Sequence, residues 1–175
     1  MFKSIIDENI YLRLLNESDT EELFNLIDSN RQYLKTFLPW VDYVTKEEDT
    51  KQFIRASLNK FGRSNGFDAV IIYKGKIAGI IGLHNMSCQH KNTSIGYWLG
   101  KEFEGRGIMT KSCEKVLDYL FNELHFKRVE IRCATKNFKS QAIPKRLGLR
   151  EEGVLRQVEF LYGDYVDHIV YSMIK

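Results

Sequence analysis

Apolar and polar positions alternate over residues 9–15, which predicts a first strand with one buried face. The period then lengthens. Ser18-x-x-Glu21 reads as a capping box, and Leu23, Phe24 and Ile27 recur behind it at helical spacing. Residues 30–44 are aromatic and hold one of the two prolines, a composition poor for a regular helix and suited to a lid or pocket wall. A second box, Thr45-x-x-Glu48, predicts a helix carrying Phe53, Ile54, Leu58 and Phe61 that stops near residues 62–66. Residues 67–73 and 77–84, joined by Lys74-Gly75, read as a hairpin, and residues 93–99 as a β-branched, aromatic strand. Cys113, Val116, Leu117, Leu120, Phe121 and Leu124, stepping by three and four, mark one face of a long helix. A strand over 128–134 and a short helix over 137–147 follow, with Pro144 expected near the first turn and Gly148 at the stop. A last hairpin, 154–161 with 166–174, turns at Tyr162-Gly163-Asp164. The order β-α-α-β-β-β-α-β-α-β-β predicts an α+β fold, one mixed sheet with helices on its faces, in a single domain over 1–175.

Composition narrows the function. With 43% hydrophobic and 28% charged residues the chain reads as an ordinary soluble domain. A net charge of +3 suits a small polyanionic ligand, and the lack of a long basic run argues against nucleic acid. The densest basic patch, Lys136, Lys139, Lys145 and Arg146, reads as a solvated helix face rather than a phosphate clamp. Three scattered cysteines argue for a reducing compartment and against a disulfide framework. Cys88-x-His90 is too short a pattern for a metal site, so no metal is expected. No apolar run reaches membrane-spanning length and the N-terminus does not read as a signal peptide, so the expected location is the cytoplasm, without membrane partners.

The chemistry concentrates between the 93–99 strand and the long helix. Residues 100–107 are charged and hold three glycines. A strand, a glycine loop and a helix start make an anion site, because the first helical N–H groups point outward and the helix dipole favours negative charge. The P-loop Gly-Lys-Ser/Thr is absent, and position 110, where the dinucleotide pattern needs a third glycine, is Thr. The alternative reading is a turn that only lets the helix pack on the sheet.

Glu104-Gly105-Arg106-Gly107-Ile108-Met109 resembles the Gln/Arg-x-x-Gly-x-Gly/Ala loop of the GNAT superfamily of N-acetyltransferases, with Glu104 and Met109 departing from the pattern. Asn137-x-x-Ser140, then Leu147-Gly148-Leu149 and Glu151-x-Gly153, resembles a second motif of that family, and the element order agrees over nearly the whole chain. The stretches YLKTFLPWVDYVTKEEDT, IGYWL and RQVEFLYGDYVD resemble the RimL-like branch, which acetylates the N-terminal amine of a ribosomal protein.

That resemblance implies acetyl-CoA as co-substrate. The backbone of Arg106, Gly107, Ile108, Met109 and Thr110 would take its pyrophosphate, the backbone of Leu99 would pair with its pantetheine arm, and Asn137 would join the cofactor site. It also implies a gap between the 93–99 and 128–134 strands, commonly at a bulge. By the same resemblance Glu159 is the base, acting through a water, and Ser140 the proton donor to the departing thiolate. Trp40, Tyr43 and Tyr97 are candidate walls of the acceptor pocket, and the four histidines match no role. Glu159 could equally be an exposed strand carboxylate, and Asn137 and Ser140 a turn and helix cap. The acceptor is open between a protein N-terminus and a small amine such as a polyamine or aminoglycoside. A non-catalytic acyl-CoA-binding module is a third reading, and the oligomeric state is open, a homo-oligomer included.

Overall fold

In a computed structural model that describes residues 3–175, eight strands form one sheet flanked on both faces by helices. The elements in chain order are β1 (Ser4–Ile5), β2 (Ile10–Leu14), α1 (Thr20–Ser29), α2 (Arg31–Leu34), α3 (Glu47–Gly62), β3 (Asp68–Tyr73), β4 (Lys76–Ser87) and β5 (Asn92–Leu99). Then follow α4 (Ile108–Asp118), extended by a wide π turn over Tyr119–Glu123, β6 (Arg128–Ala134), α5 (Phe138–Arg146), β7 (Arg150–Leu161) and β8 (Asp164–Ile174). Across the sheet the order is β1-β2-β3-β4-β5-β6-β8-β7, with β5 and β6 parallel and every other neighbouring pair antiparallel. The predicted order holds. The additions are the two-residue β1 and the single-turn α2.

Two cores form, one on each face of the sheet. On one face Ile95, Val129, Ile131 and Tyr171 pack with Ile108, Met109, Cys113, Val116, Leu117, Leu120 and Phe121 of α4 and its extension. These are the helix positions that the sequence spacing selects, with Leu124 partly buried beside them. Each fully buried Leu or Ile there stabilises by about 1.5–3 kcal/mol, which clamps the N-terminus of α4 at a fixed place beside β5. On the other face Leu23, Leu26, Ile27 and Ile54 of α1 and α3 pack on Val70, Ile72, Ile77 and Ile80, with Trp40 and Trp98 partly buried at the margin.

Local details correct three sequence expectations. The N-terminal capping box is Asn16-x-x-Asp19, two residues earlier than Ser18-x-x-Glu21: the Asn16 side chain accepts from Ser18 N–H, and Asp19 accepts from Asn16 N–H while also pairing with Arg13. At α3 the capping acid is Asp49 rather than Glu48, taking the N–H groups of Thr45 and Lys46 and the Thr45 hydroxyl. Pro144 sits in the interior of α5, not in its first turn, and has a local compensation described below.

The parallel pair positions the site. β5 and β6 are in register only from Asn92↔Arg128 to Ile95↔Ile131. Beyond that point Gly96–Leu99 pairs with β4 alone and Arg132–Ala134 with β8 alone. A slot therefore opens between the two strand ends, with one edge of β5 lacking a ladder partner. The expected bulge is absent at that place, since β4 and β5 keep register without a shift from Gly79↔Leu99 to His84↔Ser94.

Candidate active site

The glycine loop ends against the slot. Gly105 and Gly107 have φ of 72° and 73°, the left-handed region that glycine enters without strain. A Cβ built on either would meet nothing within 4 Å, so the loop is open on its outer side. Gly107 is the N-cap of α4 and supplies no side-chain acceptor. The first intrahelical bond is Lys111 N–H to the Gly107 carbonyl, so the N–H groups of Ile108, Met109 and Thr110 have no acceptor within the helix. An unpaired cluster of N–H groups at a dipole's positive end, under open space, fits a pyrophosphate.

Both departures from the family loop have a structural reason. Met109 is buried in the α4 core, so its side chain is turned away from the open side and only its N–H faces the loop. Glu104 accepts from Tyr33 Oη at 2.6 Å and from Lys139 Nζ at 2.7 Å, joining α2, the loop and α5. Burial works against ionising Glu104, yet Lys139 and Tyr33 hold its carboxyl below the usual range, and burial together with Glu104 pushes the Tyr33 phenol up. Arg106 lies over the Tyr73 ring, and Arg146 donates to Thr110 Oγ1 at 2.6 Å. The basic patch is solvent-exposed as the sequence suggests, and two of its members, Lys139 and Arg146, also pair with loop and α4 side chains.

Across the slot, α5 begins at Asn137, whose Oδ1 accepts from Ser140 N–H at 3.1 Å. Asn137 is the cap, which leaves the Ser140 hydroxyl free for other partners. Ser140 Oγ stands 3.3 Å from Tyr97 Oη and 3.2 Å from Cys133 Sγ. Tyr97 and Cys133 belong to the core on the α4 and α5 face, so Tyr97 lies with Ser140 and apart from Trp40. Burial drives the Tyr97 phenol and the Cys133 thiol up, keeping both protonated at neutral pH.

The opposite face holds the other candidates. Side chains alternate along β8, and Ile169 and Tyr171 enter the α4-side core, so His168 faces the other way. Glu159 is on that same face, its Oε2 3.2 Å from His168 Nε2. A register shift on β7 between Leu155↔His168 and Glu159↔Val166 brings this about by adding two residues to β7. Trp40 stacks at a tilt against Trp98, ring centroids 5.8 Å apart, and Tyr43 is 81% exposed on its turn. The β7–β8 turn reaches this wall: Tyr162 Oη donates to the Leu38 carbonyl at 2.8 Å, and Lys35 lies over the Tyr162 ring. His168, Cys133 and Tyr33 carry no role in the sequence reading, and Arg146 only a place in a basic patch, because each meets its partner on a different secondary-structure element. Among the described residues no cluster of His, Cys, Asp and Glu could hold a metal, and no helix is long and apolar enough to cross a membrane.

Residues 9–150 match the acetyltransferase (GNAT) domain. YdaF of Bacillus subtilis (strain 168), provisionally named a ribosomal N-acetyltransferase, is 37% identical over 100% of this chain and 96% of its own. The solved structure of the microcin C7 self-immunity acetyltransferase MccE with acetyl-CoA and AMP is 32% identical with a TM-score of 0.94, covering 97% of this chain and 94% of that one. RimL, a ribosomal L7/L12 α-N-protein acetyltransferase solved with coenzyme A in disulfide linkage to a cysteine, is 28% identical with a TM-score of 0.95, covering 99% and 98%. With its glycine loop, its parted parallel strands and a domain match over most of its length, the chain belongs to the GNAT family and is an acetyl-CoA-dependent N-acetyltransferase.

Proposed function

We propose that the enzyme acetylates the N-terminal α-amine of a ribosomal protein by direct attack of the amine on the acetyl-CoA thioester. One observation carries this reading: Ser140 lies beside the slot on the α4 and α5 face of the sheet, while Glu159 meets His168 on the opposite face, so donor and acceptor can approach from opposite sides. The names of YdaF and RimL point to ribosomal proteins as acceptors of those enzymes.

The geometry supports the following roles. The N–H groups of Arg106 through Thr110 hold the pyrophosphate, with Arg146 beside them. The free edge of β5 at Leu99 pairs with the pantetheine arm, and a backbone N–H there polarises the thioester carbonyl. Asn137 contributes its amide N–H₂, its oxygen being used by Ser140. Acetyl-CoA supplies an acyl group on a thiolate leaving group. Glu159 removes a proton from the amine through a water, and Ser140 gives one to the thiolate. The cysteine linked to coenzyme A in RimL indicates a thiol within reach of the CoA sulfur in that enzyme. Cys133, buried 3.2 Å from Ser140 Oγ, is the cysteine of this chain nearest the assigned proton donor, which supports a CoA sulfur at the same place. Trp40 and Tyr43 border the acceptor side, while Tyr97 acts from the cofactor side through Ser140.

A second reading is a small amine joined to a nucleotide, favoured by the presence of AMP beside acetyl-CoA in MccE. A mass-spectrometric screen of acetyl transfer decides between them. N-terminal peptides of ribosomal proteins, aminoacyl nucleotides, polyamines and aminoglycosides are offered in parallel. Transfer to the peptide α-amine is expected, and transfer confined to a small amine would overturn the first reading.

A further inference from the structure

We propose that His168 is a positioning residue for the acceptor-side base: its ring N–H holds one carboxylate oxygen of Glu159 so that the other is presented to the acceptor at the slot. The inference rests on the assignment of Glu159 as that base. The two side chains meet through the β7 bulge. Leu155 is opposite His168 and Glu159 opposite Val166, so the two extra residues of β7 make Glu159 the diagonal neighbour of His168 on one face of the sheet. The bulge is itself pinned, with Gln157 at φ 50° giving its N–H to Asp167 Oδ1 at 2.7 Å. In an unbulged ladder Gln157, which cannot act as a base, would stand opposite Val166.

His168 is one strand away from the slot, on the far side of β6. It pairs with Ala134, the last residue of β6, just past the point where β5 and β6 part. Its side chain is 16% exposed and that of Glu159 31%, so the pair is shielded without being sealed from water. Among the described residues Glu159 Oε2 is the one side-chain partner of the imidazole, and Glu159 Oε1 makes no hydrogen bond to protein. A carboxylate on a flexible side chain loses rotational freedom when one oxygen is held. Catalysis gains from that loss because the amine, the water and the carboxylate must align in one geometry. Imidazole suits the task because Nε2–H donates both in the protonated ring and in the neutral Nε2–H tautomer, which a carboxylate acceptor at Nε2 selects.

The test is a double-mutant cycle in the full-length enzyme, with acetyl-CoA and an N-terminal peptide of ribosomal protein L7/L12 as acceptor. His168→Val keeps a strand-forming side chain and removes the donor. It is expected to lower kcat by about 10- to 100-fold with acetyl-CoA affinity unchanged, the latter showing that the variant is folded. His168→Gln, which returns an N–H near the position of Nε2, should restore much of the loss. In the Glu159→Gln background His168→Val should cost nothing further, because there is no base left to hold. Equal cost of His168→Val in both backgrounds, or no cost in the wild type, overturns the inference while leaving Glu159 as base. Wild-type turnover by Glu159→Gln alone overturns the base assignment and the inference together, whereas failure of the wild type on the peptide overturns only the ribosomal-protein reading, and the cycle is then decided with the amine that the screen finds acetylated.

Discussion

Tyr97 donates its hydroxyl to the carbonyl oxygen of Ser140 at 3.1 Å, and Pro144 is the reason that carbonyl is available. In a helix the carbonyl of residue 140 accepts from the N–H of residue 144, and proline has none. The phenol replaces the missing donor, and it does so from β5 across the slot, where no ladder bond joins β5 to β6. One hydrogen bond therefore caps a helix defect, fixes the backbone at Ser140 and ties the two sides of the slot together. Tyr97→Phe leaves the carbonyl unpaired and should cost about 1–3 kcal/mol in denaturant unfolding. In a Pro144→Ala background, where the helix supplies its own N–H, the same substitution should cost measurably less. Equal costs in the two backgrounds would show that the compensation is not local.

The glycine loop makes a prediction about binding. Gly107→Val forces a β-branched residue to φ 73° and projects it into the open space over the free N–H groups of α4. Calorimetry should show a large loss of acetyl-CoA affinity with the circular dichroism spectrum retained. Full affinity in a folded variant would refute the pyrophosphate assignment.

Ser140→Ala separates chemistry from structure. The N-cap belongs to Asn137 and survives the change, since its bond is to the backbone N–H of Ser140. Turnover should fall by about 10²–10⁴ if the hydroxyl is the proton donor to the thiolate. Acetyl-CoA affinity and melting temperature should move little. Undiminished turnover would reassign that proton to water or to Tyr97, the other hydroxyl at the site.

The parts of this architecture that are visible in the sequence are those written in local periodicity. The α4 face, the glycine loop, the hairpins and the Asn137–Ser140 motif each lie within a short window, and each folds as its window predicts. The first half of β7 was hidden because Arg150–Gly153 is charged, contains glycine and is exposed on both faces, so no alternation marks it as a strand. The first capping acid is Asp19, two residues before Glu21, because Asp19 is held by Arg13 just before the box, a partner outside the capping window. His168 was illegible for a related reason. Its pairing with Glu159 needs the bulge, and a bulge changes which residues face each other without changing their identity. Lys139 and Glu104 read separately as a surface cation and a motif violation, and their meaning emerges only when α5 is folded against the loop.

Acid should weaken the enzyme through the far end of the sheet. Arg128 pairs with Glu130 and Glu152, and Glu152 also accepts from Ser172 Oγ. The Arg128 guanidinium and the Ser172 hydroxyl bring the Glu152 carboxyl down from 4.5 to about 2. A depressed folded-state value contributes stability above the unfolded value, and that stability is lost as pH falls through the folded one. The melting-temperature difference between wild type and Glu152→Gln should therefore be largest above pH about 4.5 and close as pH falls toward about 2. A difference that stays constant over that range would mean that the pair contributes nothing through its charge.

Glu159→Gln tests the base and the acceptor together. The substitution keeps the side chain's shape and removes its ability to take a proton. If Glu159 draws a proton from an α-amine through water, turnover should fall most near neutral pH, where the amine is still largely protonated. It should recover in part above roughly pH 8, because an N-terminal α-amine titrates at about 7.7–8.0 and then arrives already neutral. A lysine side chain, which titrates at about 10.4, should show recovery only at much higher pH with the same variant. The recovery pH thus reports the acceptor's own titration, measured by initial rates across a buffer series at saturating acetyl-CoA. A Glu159→Gln enzyme whose pH profile follows the wild type would remove Glu159 from the proton path.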